Sequence, residues 1–199
     1  MKEAIQHLRR SDPVLGEIID RVGDYAIRFR EPNFETLVKS IIYQQLSGRV
    51  ASIIFGRVAG ACGNVTPESI LKLRPARMRA LGLSAQKTAY IRDLARHARD
   101  RRVIFEELVE LPDGAVIEQL TQVKGIGVWT VHMFLIFALR RPDILPTGDL
   151  GIRNAIRRAY SLDELPTPAE MERMAARWRP YCTVASWYLW RSLETDANL

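Results

Sequence analysis

The chain contains 199 residues, of which 47% are hydrophobic and 26% are charged, and its net charge is +6. This length fits one compact unit or two small lobes, and the composition is that of a folded water-soluble protein, which excludes disordered and fibrous classes. No segment approaches the roughly 20 apolar residues that cross a membrane, and the N-terminus lacks the apolar core of a signal peptide, so we expect a cytoplasmic protein.

The first predicted element is a long helical run. Apolar residues recur at helical spacing along almost the whole chain, and no alternating runs are joined by a hairpin turn, which predicts an all-helical fold. The run extends from Phe34 to about Ala61, and Gly48 breaks or bends it. Gln45 and Leu46 lie inside the run, where the spacing of Leu46 is typical of one more core leucine.

Two capping signals and a basic stretch follow. Thr66 before a proline and Ser84 are typical helix starts, and the second helix is predicted to run through Arg99. From Arg74 to Arg102 the chain has nine lysines or arginines and only two acids, so this stretch alone carries about +7. Such a concentration favours a polyanion such as nucleic acid, although a solvated helix face explains the charge as well.

Residues 120–130, with the sequence LTQVKGIGVWT, predict a tight turn between two helices. Gly125 and Gly127 let the backbone turn and approach a partner closely. The amides that open the second helix then point outward and attract a phosphate, and Lys124 adds a positive charge beside them. Glycines also end many helices for structural reasons alone, so a purely structural turn is the other interpretation.

Helices border this turn on both sides. Asp113 is predicted to cap the one that runs through Thr121, and the one from Val128 to Leu139 is apolar nearly all round, as in a helix buried on most sides. Asp149 stands just before the next predicted helix. There the residues alone favour a carboxylate that caps the helix.

Two further helices are predicted near the end of the chain. Thr167 and Glu170 form a capping box with a proline between them, which predicts a helix to about Trp178. A final helix is predicted from about Thr183 to Leu193. Neither a repeat of fixed period nor a linker marks a domain boundary, so we predict a single unit.

Four of these segments together resemble one family. They are YQQLS at 43–47, VKGIGVWT at 123–130, LPTGDLGIR at 145–153, and WRPY at 178–181 followed by Trp190. The residues of these segments, their order and their separations are similar to those of the helix-hairpin-helix (HhH-GPD) DNA glycosylases of the 3-methyladenine DNA glycosylase II type. The resemblance spans roughly residues 34–195.

The resemblance implies an all-α fold with two helical lobes around a DNA-binding cleft. One lobe is expected at about 40–140, with the hairpin at 120–130, and the other comprises about 1–39 and 141–199 of a single HhH-GPD catalytic unit. About 33 residues precede the matched segments, so we expect no N-terminal β-domain of the kind found in larger bacterial relatives. A monomer associated with nucleoid DNA is expected.

The resemblance also implies the chemistry. Glycosylases of this family rotate a damaged nucleotide out of duplex DNA and hydrolyse the bond between sugar and base in base excision repair. Asp149 falls on the family's catalytic aspartate, where a carboxylate stabilises the positive charge that develops on the sugar. The expected substrates are alkylated purines, 3-methyladenine and 7-methylguanine, whose charged rings attract aromatic faces. The expected base-pocket residues are Trp129, Trp190, Met133 and Tyr181.

Other positions are assigned to DNA by the same resemblance. Leu46 is expected to act as the wedge that fills the space left by the rotated base, with Gln45 beside it, in place of the core role that spacing alone favours. The expected phosphate-binding residues are Lys124, Gly125, Gly127 and Thr130.

Trp129 occupies the position at which relatives that also cut the strand have a Schiff-base lysine, so we expect hydrolysis without lyase activity. The two cysteines, Cys62 and Cys182, lie too far apart for a disulfide framework, a zinc finger or an iron–sulfur cluster. No organic cofactor is expected, although the backbone at 122–127 suits a sodium or potassium ion. Two alternatives stay open: a non-catalytic helix-hairpin-helix DNA-binding protein, and a glycosylase for uracil, mismatched or oxidised bases.

Overall fold

The computed structural model describes residues 1–196, which form twelve helices and no β-strand. The all-α prediction is therefore confirmed. The helices are α1 (Lys2–Ser11), α2 (Pro13–Val22), α3 (Phe34–Tyr43), α4 (Gly48–Cys62), α5 (Pro67–Lys72), α6 (Pro75–Ala80), α7 (Ala85–Arg99), α8 (Asp113–Thr121), α9 (Val128–Phe137), α10 (Leu150–Ala159), α11 (Pro168–Ala175) and α12 (Cys182–Asp196). Within this described part, no helix is long and apolar enough to cross a membrane. The predicted unit extends to residue 199, and its last three residues lie outside the described range.

Side-chain caps fix several helix starts at the predicted residues. Thr66 caps α5, and Ser84 caps α7 by accepting the amide of Lys87 at an N···O distance of 3.1 Å. Thr167 and Glu170 form the predicted capping box of α11. Each cap gives an acceptor to an amide that has none inside the helix.

The long early run is broken next to Gly48, as the sequence indicates, because α3 ends at Tyr43 and Ser47 caps a new helix that begins at Gly48. Other boundaries differ from the prediction: α9 ends at Phe137, and α12 extends from Cys182 to Asp196. Asp113 is the first residue of α8 and not its cap. The helix α11 ends at Ala175, earlier than expected.

The chain divides into two compact units. One comprises residues 30–134, and the other comprises residues 1–29 with the chain from 135 onward, so the change of unit falls within α9. The sequence suggests these boundaries near 39 and 140. In the unit 30–134, α7 packs against α3, α5 and α6. Its buried apolar side chains include Leu37, Ile41, Ile91 and Leu94.

In the other unit, α12 packs against α1, α2 and α10. Asp12 caps α2 and is almost fully buried, and its Oδ2 accepts the Tyr160 hydroxyl at 2.5 Å and the Trp178 indole at 2.8 Å. Burial, together with the Asp12 carboxylate, raises the pKa of Tyr160 well above its ordinary value, so its hydroxyl stays a donor. These bonds satisfy a buried charge and fix the unit that carries Asp149.

Candidate active site

Asp149 lies directly before α10 and is only 8% exposed. Its Oδ1 accepts the amide of Ile152 at 2.9 Å and the indole Nε1–H of Trp190 at 2.9 Å. The first bond caps α10, and the second ties the carboxylate to α12. The capping role that the residues alone favour is therefore confirmed. It is compatible with a catalytic role, because both bonds fix the orientation of a charged group.

Gly151 lets α10 pass close to this carboxylate. A Cβ at Gly151 would lie 3.0 Å from Asp149 Oδ1 and 3.3 Å from Trp190 Cδ1, closer than ordinary side-chain contacts. The Trp190 indole also stacks on Phe137, with ring centroids 5.8 Å apart and an interplanar angle of 25°. We call Asp149, Gly151, Trp190 and Phe137 the carboxylate cluster. All four residues belong to the same unit.

Tyr181, a predicted pocket residue, and Arg153 belong to the same unit. Tyr181 is half-buried, and its ring packs edge-on against His7 with centroids 5.4 Å apart. Arg153 donates through Nε to the carbonyl oxygen of Pro166 at 3.0 Å. This arginine therefore stabilises the chain before α11.

Trp129 and Met133 belong to α9 in the unit 30–134. They are four residues apart, so their side chains share a helix face. Trp129 is 47% exposed, whereas Met133 is half-buried. A half-exposed indole in the first turn of a helix offers a large aromatic surface for a ligand. The pocket role of both residues stays a prediction.

Residues 44–47 separate α3 from α4, and we call this segment the wedge loop after the role predicted for Leu46. Leu46 is 38% exposed and lies outside any helix, so it is not a core leucine. Gln45 is exposed and has a φ of +56°, in the left-handed region that costs a non-glycine residue about 1–2 kcal/mol. The exposed apolar surface continues along α4 at Val50 and Ile53, which are 45% and 49% exposed. The loop therefore presents an apolar tip on a strained backbone.

The two glycines of the hairpin, residues 120–130, have different environments. Gly125 has a φ of +82°, and a Cβ there would lie 2.1 Å from the Tyr90 ring, whereas a Cβ at Gly127 would meet no atom within 4 Å. Among residues 1–196, the amides of Gly125, Gly127 and Val128 have no hydrogen-bond acceptor. The fold thus requires glycine at 125, while the amides at the start of α9 are suited to an anion.

Lys124 and Thr130 were also predicted to contact phosphate. Lys124 is exposed, whereas Thr130 is only 5% exposed, and the phosphate role of both residues stays a prediction. At the 122–127 backbone, the carbonyl oxygen of Gly125 accepts the side-chain amide of Gln44 at 3.0 Å. A carbonyl oxygen has a second lone pair for a cation. The monovalent cation stays a prediction.

The basic stretch that precedes the hairpin is not one charged face. Lys87 and Arg92 donate to backbone carbonyl oxygens inside the unit 30–134. Arg99 and Arg102 pair with Asp100. The exposed arginines at α6 are Arg74, Arg77 and Arg79. These three exposed charges can attract a polyanion at long range.

Sequence reasoning missed the side chains of α7 that touch the wedge loop and the hairpin. They are Lys87, Tyr90 and Asp93, spaced three residues apart. One signal was available. Lys87 stands in the first turn of a helix, where the helix dipole disfavours a cation, and this position indicates a specific acceptor for its ammonium group.

Comparison with known proteins identifies the family. Residues 38–180 match the HhH-GPD superfamily of base excision DNA repair proteins, and this chain belongs to that superfamily. The sequence is 36% identical over 194 residues to DNA-3-methyladenine glycosylase 1 of Schizosaccharomyces pombe, covering 94% of this chain and 85% of that protein.

Two solved structures are similar over almost the whole chain. The S. pombe 3-methyladenine DNA glycosylase in complex with abasic DNA gives a TM-score of 0.83 at 35% identity, covering 94% of this chain and 95% of that one. The Bacillus halodurans DNA-3-methyladenine glycosidase gives a TM-score of 0.88 at 35% identity, covering 98% of this chain and 91% of that one. The predicted family and fold are thus confirmed.

Proposed function

We propose that this chain is a monofunctional DNA glycosylase of base excision repair that hydrolyses the N-glycosidic bond of alkylated purines flipped out of duplex DNA. The proposed substrates are 3-methyladenine and 7-methylguanine. The observation that carries the proposal is Asp149, a nearly buried carboxylate fixed by an indole and a helix amide in a member of a repair superfamily. We further propose that it acts as a monomer on nucleoid DNA in the cytoplasm.

The proposed reaction depends on charge in both partners. Methylation at a ring nitrogen makes the purine cationic. When its bond to C1′ breaks, the electron pair stays on the base, which becomes neutral, and positive charge develops on the sugar. The Asp149 carboxylate stabilises this charge and takes a proton from the water whose oxygen bonds to C1′. Because two hydrogen bonds already orient Oδ1, the carboxylate needs no rearrangement during the reaction.

Trp129 supports hydrolysis without strand cleavage. An indole has no amine, so a Schiff base with the sugar cannot form at this position. The products are the free base and an abasic site in an intact strand. A tryptophan face attracts a cationic base by about 0.5–2 kcal/mol. The pocket roles of Trp129, Trp190, Met133 and Tyr181 stay predictions from the family.

DNA contact is proposed at three exposed places. Leu46 fills the gap that the flipped nucleotide leaves, and its exposure at the tip of the wedge loop supports this role. The amides of Gly125 and Gly127 bind a backbone phosphate, with Lys124 beside them. The exposed arginines of α6 add attraction that weakens as the salt concentration rises.

Incubation of the purified protein with methylated, uracil-containing and 8-oxoguanine duplexes tests the proposal. We expect free 3-methyladenine and 7-methylguanine from the methylated duplex only, and a strand that breaks only after alkali treatment. Release of uracil or 8-oxoguanine instead would replace the proposed substrate class. Tight binding of all duplexes without base release would favour a non-catalytic DNA-binding protein.

Trp190→Phe is expected to slow base release about tenfold, because it removes one hydrogen bond to the Asp149 carboxylate and keeps an aromatic ring against Phe137. Single-turnover kinetics on a methylated duplex measure the change. Trp187→Phe in the same helix is the matched control, since Trp187 packs on Tyr25, and it should keep the parental rate. Equal losses in both variants would contradict a specific role for the indole hydrogen bond.

A further inference from the structure

Lys87 caps the end of α3, the helix that leads into the wedge loop. Its Nζ donates to the carbonyl oxygen of Ile42 at 2.7 Å and to that of Gln44 at 2.6 Å. The last carbonyl groups of a helix lack amide partners and carry partial negative charge, so an ammonium group is well matched to them. Burial lowers the pKa of Lys87.

Gln44 connects the wedge loop to the hairpin. Its carbonyl oxygen accepts Lys87, and its own Nε2 donates to the carbonyl oxygen of Gly125 at 3.0 Å. The residue next to Gln44 is the strained Gln45, and Leu46 follows. Leu46 is therefore two residues from Gln44, whose backbone and side chain are both held by hydrogen bonds.

The same helix, α7, also holds the hairpin. The Tyr90 ring lies against Gly125, and Asp93 Oδ2 accepts the amide of Lys124 at 3.0 Å. One face of α7 thus contacts the loop through Lys87 and the hairpin through its next two turns. Both segments are fixed to one rigid element.

The wedge loop borders a cleft. This cleft has a volume of about 480 Å³ and is lined by Leu46, Ile54, Lys87 and Tyr90 among others. Leu46 is 38% exposed, so the polar bonds of Lys87 and Gln44 contribute to the position of the loop.

We propose that Lys87 and Gln44 are positioning residues that hold the Leu46 wedge in fixed register with the phosphate-binding hairpin. This inference rests on the proposed function, because it concerns how a glycosylase opens the DNA duplex. We call the hydrogen bonds of Lys87 and Gln44 the brace. When the hairpin binds a phosphate, the brace determines where along the duplex Leu46 enters. Without the brace, the protein still binds DNA but does not keep a nucleotide flipped.

Lys87→Met tests the brace, because methionine keeps the length of the side chain and removes the ammonium group. We expect base release from a fully paired methylated duplex to fall about tenfold or more, with the affinity for the duplex nearly unchanged. When the methylated base lies opposite an abasic site and is already unpaired, release should return close to the parental rate. A merely destabilised protein would lose both activities together.

Three variants complete the design. Gln44→Met should show the same selective loss if Lys87→Met does not fold. Lys72→Met, which removes one exposed charge from α5, is the matched control and should behave like the parental protein. Leu46→Ala combined with Lys87→Met should be no slower than the slower single variant, because both changes remove the same step. Losses that multiply in the double variant would overturn the proposal.

A fluorescence measurement that does not depend on base release distinguishes this proposal from the proposed function. A duplex with 2-aminopurine opposite a stable abasic-site analogue reports entry of the wedge, since its fluorescence rises when the base loses its stacking. We expect the rise with the parental protein and not with Lys87→Met or Leu46→Ala. If the parental protein releases no base but the fluorescence follows this pattern, only the proposed function fails. An undiminished rise with Lys87→Met overturns the brace.

Discussion

Asp149→Asn is expected to lower the rate of base release at least about 10²- to 10³-fold while the fold and DNA binding persist. Asparagine has the same shape as aspartate, and its Oδ1 can accept both the Ile152 amide and the Trp190 indole. The change therefore removes the negative charge and keeps both of these hydrogen bonds. Because the positive charge on the sugar exists only as the bond breaks, the loss should appear in the chemical step and not in binding.

Single-turnover release of 7-methylguanine from a methylated duplex measures this loss, and the affinity for abasic-site DNA is measured with the same protein. Asp163→Asn is the matched control, since Asp163 is an exposed carboxylate in the same unit, and it should keep the parental rate. A variant at 149 that released base as fast as the parental protein would remove Asp149 from the reaction.

Asp149→Ala separates the two roles of this side chain. Alanine removes the charge and also the helix cap, whose loss costs about 1 kcal/mol. Both variants should be inactive, but only the alanine variant should unfold at a lower temperature. The comparison shows why the capping and catalytic interpretations are compatible: one oxygen serves the fold, whereas the charge serves the reaction.

Helices that begin at a side-chain cap can be predicted from the sequence. The caps at Thr66, Ser84 and Thr167 are contacts between residues three apart, so the local sequence contains both partners. The cap of α2 also joins residues three apart, since Asp12 Oδ1 accepts the amide of Leu15, but distant residues hold the same carboxylate. Asp12 is held by Tyr160 and Trp178, which lie 148 and 166 residues away in the chain.

The break between α3 and α4 shows the limit of periodicity. Apolar spacing is the same on both sides of the break, so the spacing alone does not show where the chain leaves the helix, and the local signal for a break is Gly48. The chain leaves the helix where Lys87, 43 residues from Gln44, binds the last carbonyl groups. A contact of that range has no counterpart in the local pattern, and Leu46 is consequently exposed although its spacing suggests a core position.

In the candidate site too, local sequence predicts some features, whereas others depend on residues far apart in the chain. The residues alone favour a capping Asp149 and a structural turn, and the family resemblance adds the catalytic and phosphate roles. The hydrogen bond from Trp190 to Asp149 spans 41 residues, so no sequence window contains both groups. The need for glycine at 151 also depends on this distant indole, because the Cβ of a larger residue would crowd both partners.

Gly125→Ala is expected to lower the free energy of unfolding by roughly 3 kcal/mol, from the left-handed backbone and from overpacking. The φ of +82° disfavours alanine, and the new Cβ would lie 2.1 Å from the Tyr90 ring, which cannot stay where it is. For a chain of this size, that loss corresponds to a fall of roughly 6–12 °C in Tm. Tyr90 lies on the helix that also supports the wedge loop, so DNA binding and base release should weaken as well.

Gly127→Ala is the matched variant, and the opposite pattern is expected from it. No atom lies within 4 Å of the new Cβ, so the stability should change by less than about 1 kcal/mol. If the neighbouring amides bind a phosphate, the added methyl group stands between the backbone and the DNA. We therefore expect the affinity for duplex DNA to fall about tenfold, as for the loss of one charge-assisted contact.

Thermal unfolding and DNA titration of both variants distinguish a structural turn from a phosphate-binding hairpin. A structural turn alone makes Gly125→Ala unstable and leaves the DNA affinity of Gly127→Ala at the parental value. A phosphate-binding hairpin makes Gly127→Ala a stable protein with weak DNA binding, and its binding should also depend less steeply on salt because a phosphate contact is lost. Parental affinity and salt dependence in Gly127→Ala would remove the hairpin from the DNA interface, whatever the fate of Gly125→Ala.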